Sequence, residues 1–218
     1  LLIEGNPLQY IIGEVIFHQL SIKVNKSVLI PRPETEELVH LICENREKKG
    51  LKNILDIGTG SGCIALALKS VFSNTDCVGI DISKAAIQIA KKNAELLNLN
   101  VEFIIDDIFN SNVKRKFEAI VSNPPYITQK EKSSMENNVL DYEPHLALFV
   151  DDYEPLIYYK AIAEFGLQSL TEEGEIYFEI NEKYGDEVVY LLKDLGYQKC
   201  EIKKDLQAKN RFVLAKLG

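Results

Sequence analysis

The chain lacks any apolar run approaching the roughly 18 residues that a membrane-spanning helix needs, so a helical membrane protein is excluded and no membrane partner is expected. Paired cysteines are missing too: Cys43, Cys63, Cys77 and Cys200 are scattered through apolar stretches without CxxC spacing. That pattern predicts reduced thiols in a cytoplasmic protein, with neither a disulfide framework nor a thiolate zinc site. His18, His40 and His145 do not sit at metal-ligand spacing, so no metal site is expected. Positive charge is the minority, with 25 Lys and Arg against 33 Asp and Glu and a net charge of −8. Nucleic-acid binding draws most of its affinity from neutralising phosphates with Lys and Arg, so no direct nucleic-acid partner is expected. The basic clusters at Arg46 to Lys52 and Lys114 to Lys116 are small and read as solvated surface. Repeats, low-complexity tracts, an initial Met and a charged leader are also missing, so the chain reads as a piece of a longer protein without a targeting segment.

What is present is 218 residues with an apolar fraction of 46%, enough for one sizeable domain that buries a core without staples. Alternating apolar residues from Ile11 to Ile30 predict a β-hairpin. Pro31 and Pro33 then break the extended chain, and an amphipathic helix opens at Thr35 and runs to about Lys49. After Gly50 the pattern predicts strands at Asn53 to Ile57, Asp76 to Ile80, Val101 to Ile105 and Ala119 to Ser122, with helices at Cys63 to Phe72 and Lys84 to Asn98. A stretch with little periodicity runs to about Glu154, followed by a helix (Leu156 to Leu170), a strand (Glu175 to Ile180) and a helix (Gly185 to Leu195). Two last strands, Gln198 to Lys203 and Arg211 to Lys216, are expected to form an edge hairpin around a Lys209-Asn210 turn. Alternation of this kind means a parallel sheet with right-handed crossovers. The expectation is a doubly wound α/β domain at 31–218, a mostly parallel seven-stranded sheet, with a lead-in segment and β-hairpin at 1–30.

Four constellations carry chemistry. Asp56-Ile57-Gly58-Thr59-Gly60-Ser61-Gly62 falls between the first of these strands and its helix, where glycines let the backbone turn sharply and approach a ligand. Its spacing is GxGxG and not the GxGxxG that seats a pyrophosphate, which favours an adenosine-bearing ligand without phosphates and disfavours a nicotinamide dehydrogenase. Asp81 ends the next strand, where a carboxylate can accept from both ribose hydroxyls, although Asp is also a common helix cap and Ser83 can fill that role. Asp106-Asp107-Ile108-Phe109 falls where an adenine would lie, Asp107 accepting from its amino group and Ile108 packing on the ring; a plain loop is the competing reading.

The fourth constellation is Asn123-Pro124-Pro125-Tyr126. The proline pair removes two backbone donors and restricts its neighbours, so the Pro124 carbonyl can face a ligand in a fixed direction. Asn123 adds a side-chain oxygen and Tyr126 an aromatic face. Two acceptors converging on one spot fit the two protons of a planar NH2 group. Glu179 either faces the pocket or is an edge carboxylate in solvent.

Together these residues resemble the class I S-adenosylmethionine-dependent methyltransferases, a Rossmann-like superfamily that includes DNA adenine N6-methyltransferases. The flanks narrow the resemblance. Pro7 to Gly13, Phe17, Ile30-Pro31-Arg32-Pro33-Glu34-Thr35-Glu36-Glu37-Leu38, Tyr142-Glu143-Pro144 with Ala147-Leu148, and Asn210-Arg211-Phe212-Val213 look like the bacterial release factor glutamine methyltransferases, the PrmC/HemK family. The resemblance spans nearly the whole chain and implies an additional N-terminal helical domain that this sequence lacks. It further implies S-adenosylmethionine as cofactor, S-adenosylhomocysteine as product, and peptide-chain release factors as partners, methylated on the glutamine of a Gly-Gly-Gln motif. By the same resemblance Asn123, Pro124 and Tyr126 are catalytic, Asn123 to Tyr126 bind substrate, and Gly58 to Gly62, Asp81, Asp107, Ile108, Asn123 and Phe17 bind cofactor. Arg32 and Glu34 are further candidates for closing the pocket. Asp151 to Pro155 departs from the glycine that family members often carry there. The alternatives are DNA adenine methylation, glutamine methylation of ribosomal protein uL3, and a noncatalytic adaptor on a vestigial cofactor fold.

Overall fold

The computed structural model describes residues 5–134 and 137–217. A short helix α1 (Leu8–Ile12) leads into a hairpin of β1 (Glu14–Phe17) and β2 (Leu20–Lys23), and α2 (Pro33–Arg46) follows the prolines. Next, β3 (Asn53–Ile57), α3 (Cys63–Val71), β4 (Asp76–Asp81), α4 (Lys84–Leu97), β5 (Glu102–Ile105) and β6 (Phe117–Ser122) succeed one another. Two short strands, β7 (Ile127–Thr128) and β8 (Phe149–Val150), flank α5 (Asn137–Tyr142). The chain ends in α6 (Ile157–Ser169), β9 (Leu170–Glu179), α7 (Gly185–Asp194), β10 (Tyr197–Lys204) and β11 (Asn210–Leu217).

Seven strands form one sheet in the order β10-β11-β9-β6-β3-β4-β5. The five from β9 to β5 are parallel, whereas β11 and β10 are antiparallel additions at one edge. Winding reverses between β3 and β6, and the crevice beyond the carboxyl ends of strands at such a reversal is where open α/β sheets bind ligands. Helices cover both faces, so strand residues alternate between two cores. Ile54 belongs to one cluster with Leu38, Ile42, Leu66 and Ile87, and Leu55 to the other with Tyr159, Ile162 and Val188. The lead-in joins the first cluster through Phe17, Ile22, Val24 and Val28.

Three expectations shift. The predicted hairpin over Ile11 to Ile30 narrows to β1 and β2, because Pro7 starts a helical turn that Gly13, at φ 81°, stops in the left-handed region. The β9 strand begins at Leu170, five residues before the expected Glu175, as Phe117 pairs with Leu170 ahead of an irregularity in register. The last turn centres on Leu206 to Ala208 and leaves Asn210 in β11, because the Asp205 carboxylate accepts from the backbone N–H of Gln207 and of Lys209, both at 2.9 Å. Among the described residues, no helix is long and apolar enough to cross a membrane.

Phe103 of β5 packs against Gly62 of the glycine loop and Gly79 of β4. A Cβ placed on Gly79 of β4 would come within 2.6 Å of the Phe103 ring and 2.8 Å of Thr59 Oγ1. Overpacking of this kind costs about 1–3 kcal/mol, so Gly79→Ala should lower the urea midpoint by that free energy at unchanged m value. An unchanged midpoint would show that the ring has room to move.

Candidate functional site

The cleft opens where β3, β4, β5 and β6 end. Its floor is the glycine loop, in which Gly58, Gly60 and Gly62 take φ of 71°, 55° and 81°. Side chains rarely adopt such values, and the turn is fixed by the Gly58 and Thr59 N–H groups donating to the Ile80 carbonyl, each at 2.9 Å. Gly58 and Gly60 line the cleft. The loop's other residues serve from behind: Thr59 donates to Asp56 Oδ2 at 2.5 Å, Ser61 is buried with its carbonyl accepting from Asn93 Nδ2 at 2.9 Å, and Gly62 makes room for Phe103.

Asp81 stands on the wall with one oxygen accepting from Gly60 N–H at 2.9 Å and the other from Ser83 N–H at 2.8 Å. An ionised carboxylate has about four acceptor positions, so two remain for hydroxyls of a ligand. Burial pushes its pKa up, against the pull of those two hydrogen bonds. Ser83 caps α4 by accepting from Ala86 N–H, so Asp81 is spared that duty. Beyond β5, Asp106, Asp107 and Ile108 also reach the cleft; Asp107 Oδ1 accepts from Phe109 N–H at 3.0 Å, and Asp106 Oδ2 accepts from Ser111 at 2.5 Å. Open space over left-handed glycines, apolar walls of Val28, Ile80 and Ile108, and the carboxylates of Asp81, Asp106 and Asp107 with no Lys or Arg among the lining residues fit a nucleoside with no phosphates.

Asn123, Pro124 and Pro125 form the opposite wall, directly after β6. Asn123 Nδ2 donates to Thr35 Oγ1 at 3.1 Å, and Thr35 donates to Glu179 Oε2 at 2.7 Å. The Tyr126 hydroxyl donates to Glu179 Oε1 at 3.1 Å, so its polar end is turned to this carboxylate, and Tyr126 is not on the cleft wall. Burial raises the Tyr126 hydroxyl far above the ordinary range. Glu179 is 1% exposed, which resolves the two readings of its position: it sits behind the loop, neither in the cleft nor in solvent. Burial raises its pKa as well, against the hydrogen bonds from Thr35 and Tyr126. Asn181, two residues on, adds a bond from Nδ2 to the Tyr126 carbonyl at 3.4 Å.

Phe17 needs correction. It occupies the inward position of β1 at the hairpin end, is 1% exposed, and belongs to the hydrophobic core away from the cleft wall. The roof is instead made by Ser27, Val28 and Leu29 of the lead-in, by Pro144, Leu146 and Ala147, and by Tyr158 and Ile162 of α6. Most are ordinary apolar residues whose local pattern gives no sign of a ligand, and only the Ala147-Leu148 and Tyr142-Glu143-Pro144 segments hinted at this part of the site. Arg32 is not on the wall either; it pairs with Glu143 at 2.6 Å, and Glu143 also accepts from Ile30 N–H at 3.2 Å. This pair ties the lead-in to the long segment that forms the rest of the roof.

The model of the methyltransferase small domain matches residues 35–142. The chain is 45% identical over 214 residues to a release factor glutamine methyltransferase of Flavobacterium psychrophilum, covering 96% of this chain and 75% of the relative. A release factor glutamine methyltransferase of Bacteroides thetaiotaomicron is 44% identical, with 97% and 76% covered. In fold the chain is similar to a crystallised methyltransferase from Pyrococcus furiosus, at a TM-score of 0.68 and 18% identity over 91% of this chain and 89% of that one.

Asp56, behind the glycine loop, has no solvent exposure, and its Oδ1 accepts no hydrogen bond among the described residues. Burial pushes its pKa from 3.8 up to about 7. The folded protein therefore keeps this proton over a pH range in which the unfolded chain has lost it. The contribution to stability is present below about pH 4 and is lost as pH rises to about 7, at most ~4 kcal/mol, and the raised pKa values of Asp81 and Glu179 act in the same sense. The melting temperature should fall between pH 5 and pH 8, and Asp56→Asn should flatten much of the fall. A wild-type melting temperature constant over that window would contradict a buried, proton-holding Asp56.

Proposed function

The chain belongs to the release factor glutamine methyltransferase family, and from that membership we propose that it transfers a methyl group from S-adenosylmethionine to the side-chain amide nitrogen of the glutamine in the Gly-Gly-Gln motif of peptide-chain release factors. The observation that carries this reading is one cleft, at the reversal of the sheet, with the ribose-type carboxylate Asp81 on one wall and the Asn123-Pro124 pair on the other. We place the protein in the cytoplasm, where translation is terminated.

The cofactor supplies an activated methyl group on a sulfonium. Gly58 and Gly60 admit it close to the backbone, Asp81 holds the ribose hydroxyls, and Asp107 and Ile108 take the adenine. An amide nitrogen is a poor nucleophile because its lone pair is delocalised into the carbonyl. Asn123 Oδ1 and the Pro124 carbonyl accept hydrogen bonds from its two N–H groups, aim the nitrogen and stabilise positive charge as it develops there. One N–H proton is lost to solvent water late, once methylation has made the nitrogen acidic, so no strong general base is required. Tyr126 acts from beneath, anchoring the loop on Glu179.

Fragmentation mass spectrometry of a release factor treated with the protein and labelled S-adenosylmethionine should place the methyl on the glutamine nitrogen. Labelling of DNA adenine or of ribosomal protein uL3, with the factor untouched, would favour another substrate. Asn123→Ala should lower turnover by roughly 10² to 10³ in a folded protein, and near wild-type methylation would sink its assigned role. Asp81→Ala should weaken cofactor binding by roughly 1.5 to 3 kcal/mol in a calorimetric titration. Unchanged affinity would remove Asp81 from the cofactor site.

A further inference from the structure

We propose that Thr35 and Glu179 are positioning residues that lock the Asn123 amide in one of its two orientations, with the oxygen turned to the acceptor nitrogen. The inference rests on the methyl-transfer reading; it assigns work to Thr35, which that reading leaves unused, and a second task to Glu179 beyond anchoring Tyr126.

The argument is a count of protons. An ionised carboxylate only accepts hydrogen bonds, and a threonine hydroxyl has one proton to give. Glu179 takes that proton at Oε2, over 2.7 Å, and takes the Tyr126 proton at Oε1, over 3.1 Å. Thr35 is left as an acceptor, and what it accepts is Asn123 Nδ2 at 3.1 Å. Turning the Asn123 amide over would set oxygen against oxygen at Thr35 and would present N–H groups to an acceptor that itself brings two N–H groups. The chain from Glu179 through Thr35 to Asn123 therefore selects an NH2 acceptor by fixing which end of Asn123 it meets.

The placement of the two residues fits this task better than a packing role. Thr35 is 3% exposed and Glu179 1% exposed, and a carboxylate is expensive to bury among neutral donors. The facing cation, Arg211, is already engaged by Asp205 at 3.2 Å and by the Ile180 carbonyl at 3.4 Å. Apolar residues would hold α2 against the end of β9 without the cost of desolvating a charge. They would leave Asn123 free to turn.

The test is steady-state methylation of a release factor by Thr35→Val, Thr35→Ser and Glu179→Gln, each also combined with Asn123→Ala, with melting curves and cofactor titrations alongside. Thr35→Val keeps the shape and removes the hydroxyl; kcat should fall about 10- to 100-fold, as for the loss of a hydrogen bond in a charge-linked chain, while cofactor affinity stays within about twofold. Thr35→Ser should recover most of kcat. Glu179→Gln offers one acceptor where two are needed and should also lower kcat, which keeps the test open should the Val variant not fold. In the Asn123→Ala background none of these changes should cost more, because residues acting through one group are not additive. An unchanged kcat in folded Thr35→Val or Glu179→Gln, or the same loss with and without Asn123, would overturn the relay. Failure of the unsubstituted protein to methylate glutamine is a separate result and would overturn the reading of the site.

Discussion

A carboxylate kept from water at the end of β9 gathers three segments that are far apart in the chain. Glu179 receives Thr35 from the first turn of α2 and Tyr126 from the loop after β6, and its own backbone carbonyl accepts from Tyr159 of α6 at 3.2 Å. None of these partners is charged, so the site relies on directed hydrogen bonds where an ion pair would have been less particular about geometry. The direction of the Asn-Pro-Pro-Tyr loop, and with it one wall of the cleft, depends on this group being satisfied.

Other buried polar side chains follow the same pattern, each joining elements that hydrophobic contact alone would leave free to slide. Asn93 of α4 pairs with both backbone groups of Lys23 and with the Ser61 carbonyl, which fixes the lead-in hairpin to the back of the glycine loop. Arg46, at the end of α2, donates to the Glu118 carbonyl at 2.9 Å and pairs with Glu175 at 2.8 Å, setting α2 across β6 and β9. Apolar burial supplies the driving force for the fold, while these contacts set its register at the places where the cleft needs it.

Much of the sheet was legible in the sequence because its signals are local. The strands from β3 to β6 appear within two residues of their expected bounds, since apolar runs bounded by Gly, Asp and Asn suffice to mark them. That Asp81 and Asn123 to Pro125 would line the cleft was legible because the crevice of a doubly wound sheet lies at its strand ends, so position alone narrows the choice. Phe17 could not be placed, as a buried core aromatic and a cofactor-stacking one look alike in a strand four residues long. The roof was illegible for a different reason: Leu29, Leu146 and Ile162 converge only through tertiary contact. Glu179 fell between two readings because burial of a carboxylate is decided by partners 53 and 144 residues away.

The clasp between Arg32 or Ile30 and Glu143 spans 111 and 113 residues. Contacts of that separation carry a loop-closure cost and form after local ones. During synthesis, which adds about 5–20 residues each second, the glycine loop and the carboxyl ends of β3, β4 and β5 are already made before Glu143 leaves the ribosome. Tyr158, Ile162 and β9 come later still. The cleft is therefore assembled floor first and roof last, and a nascent chain holds its cleft-lining glycines for several seconds before it can enclose anything.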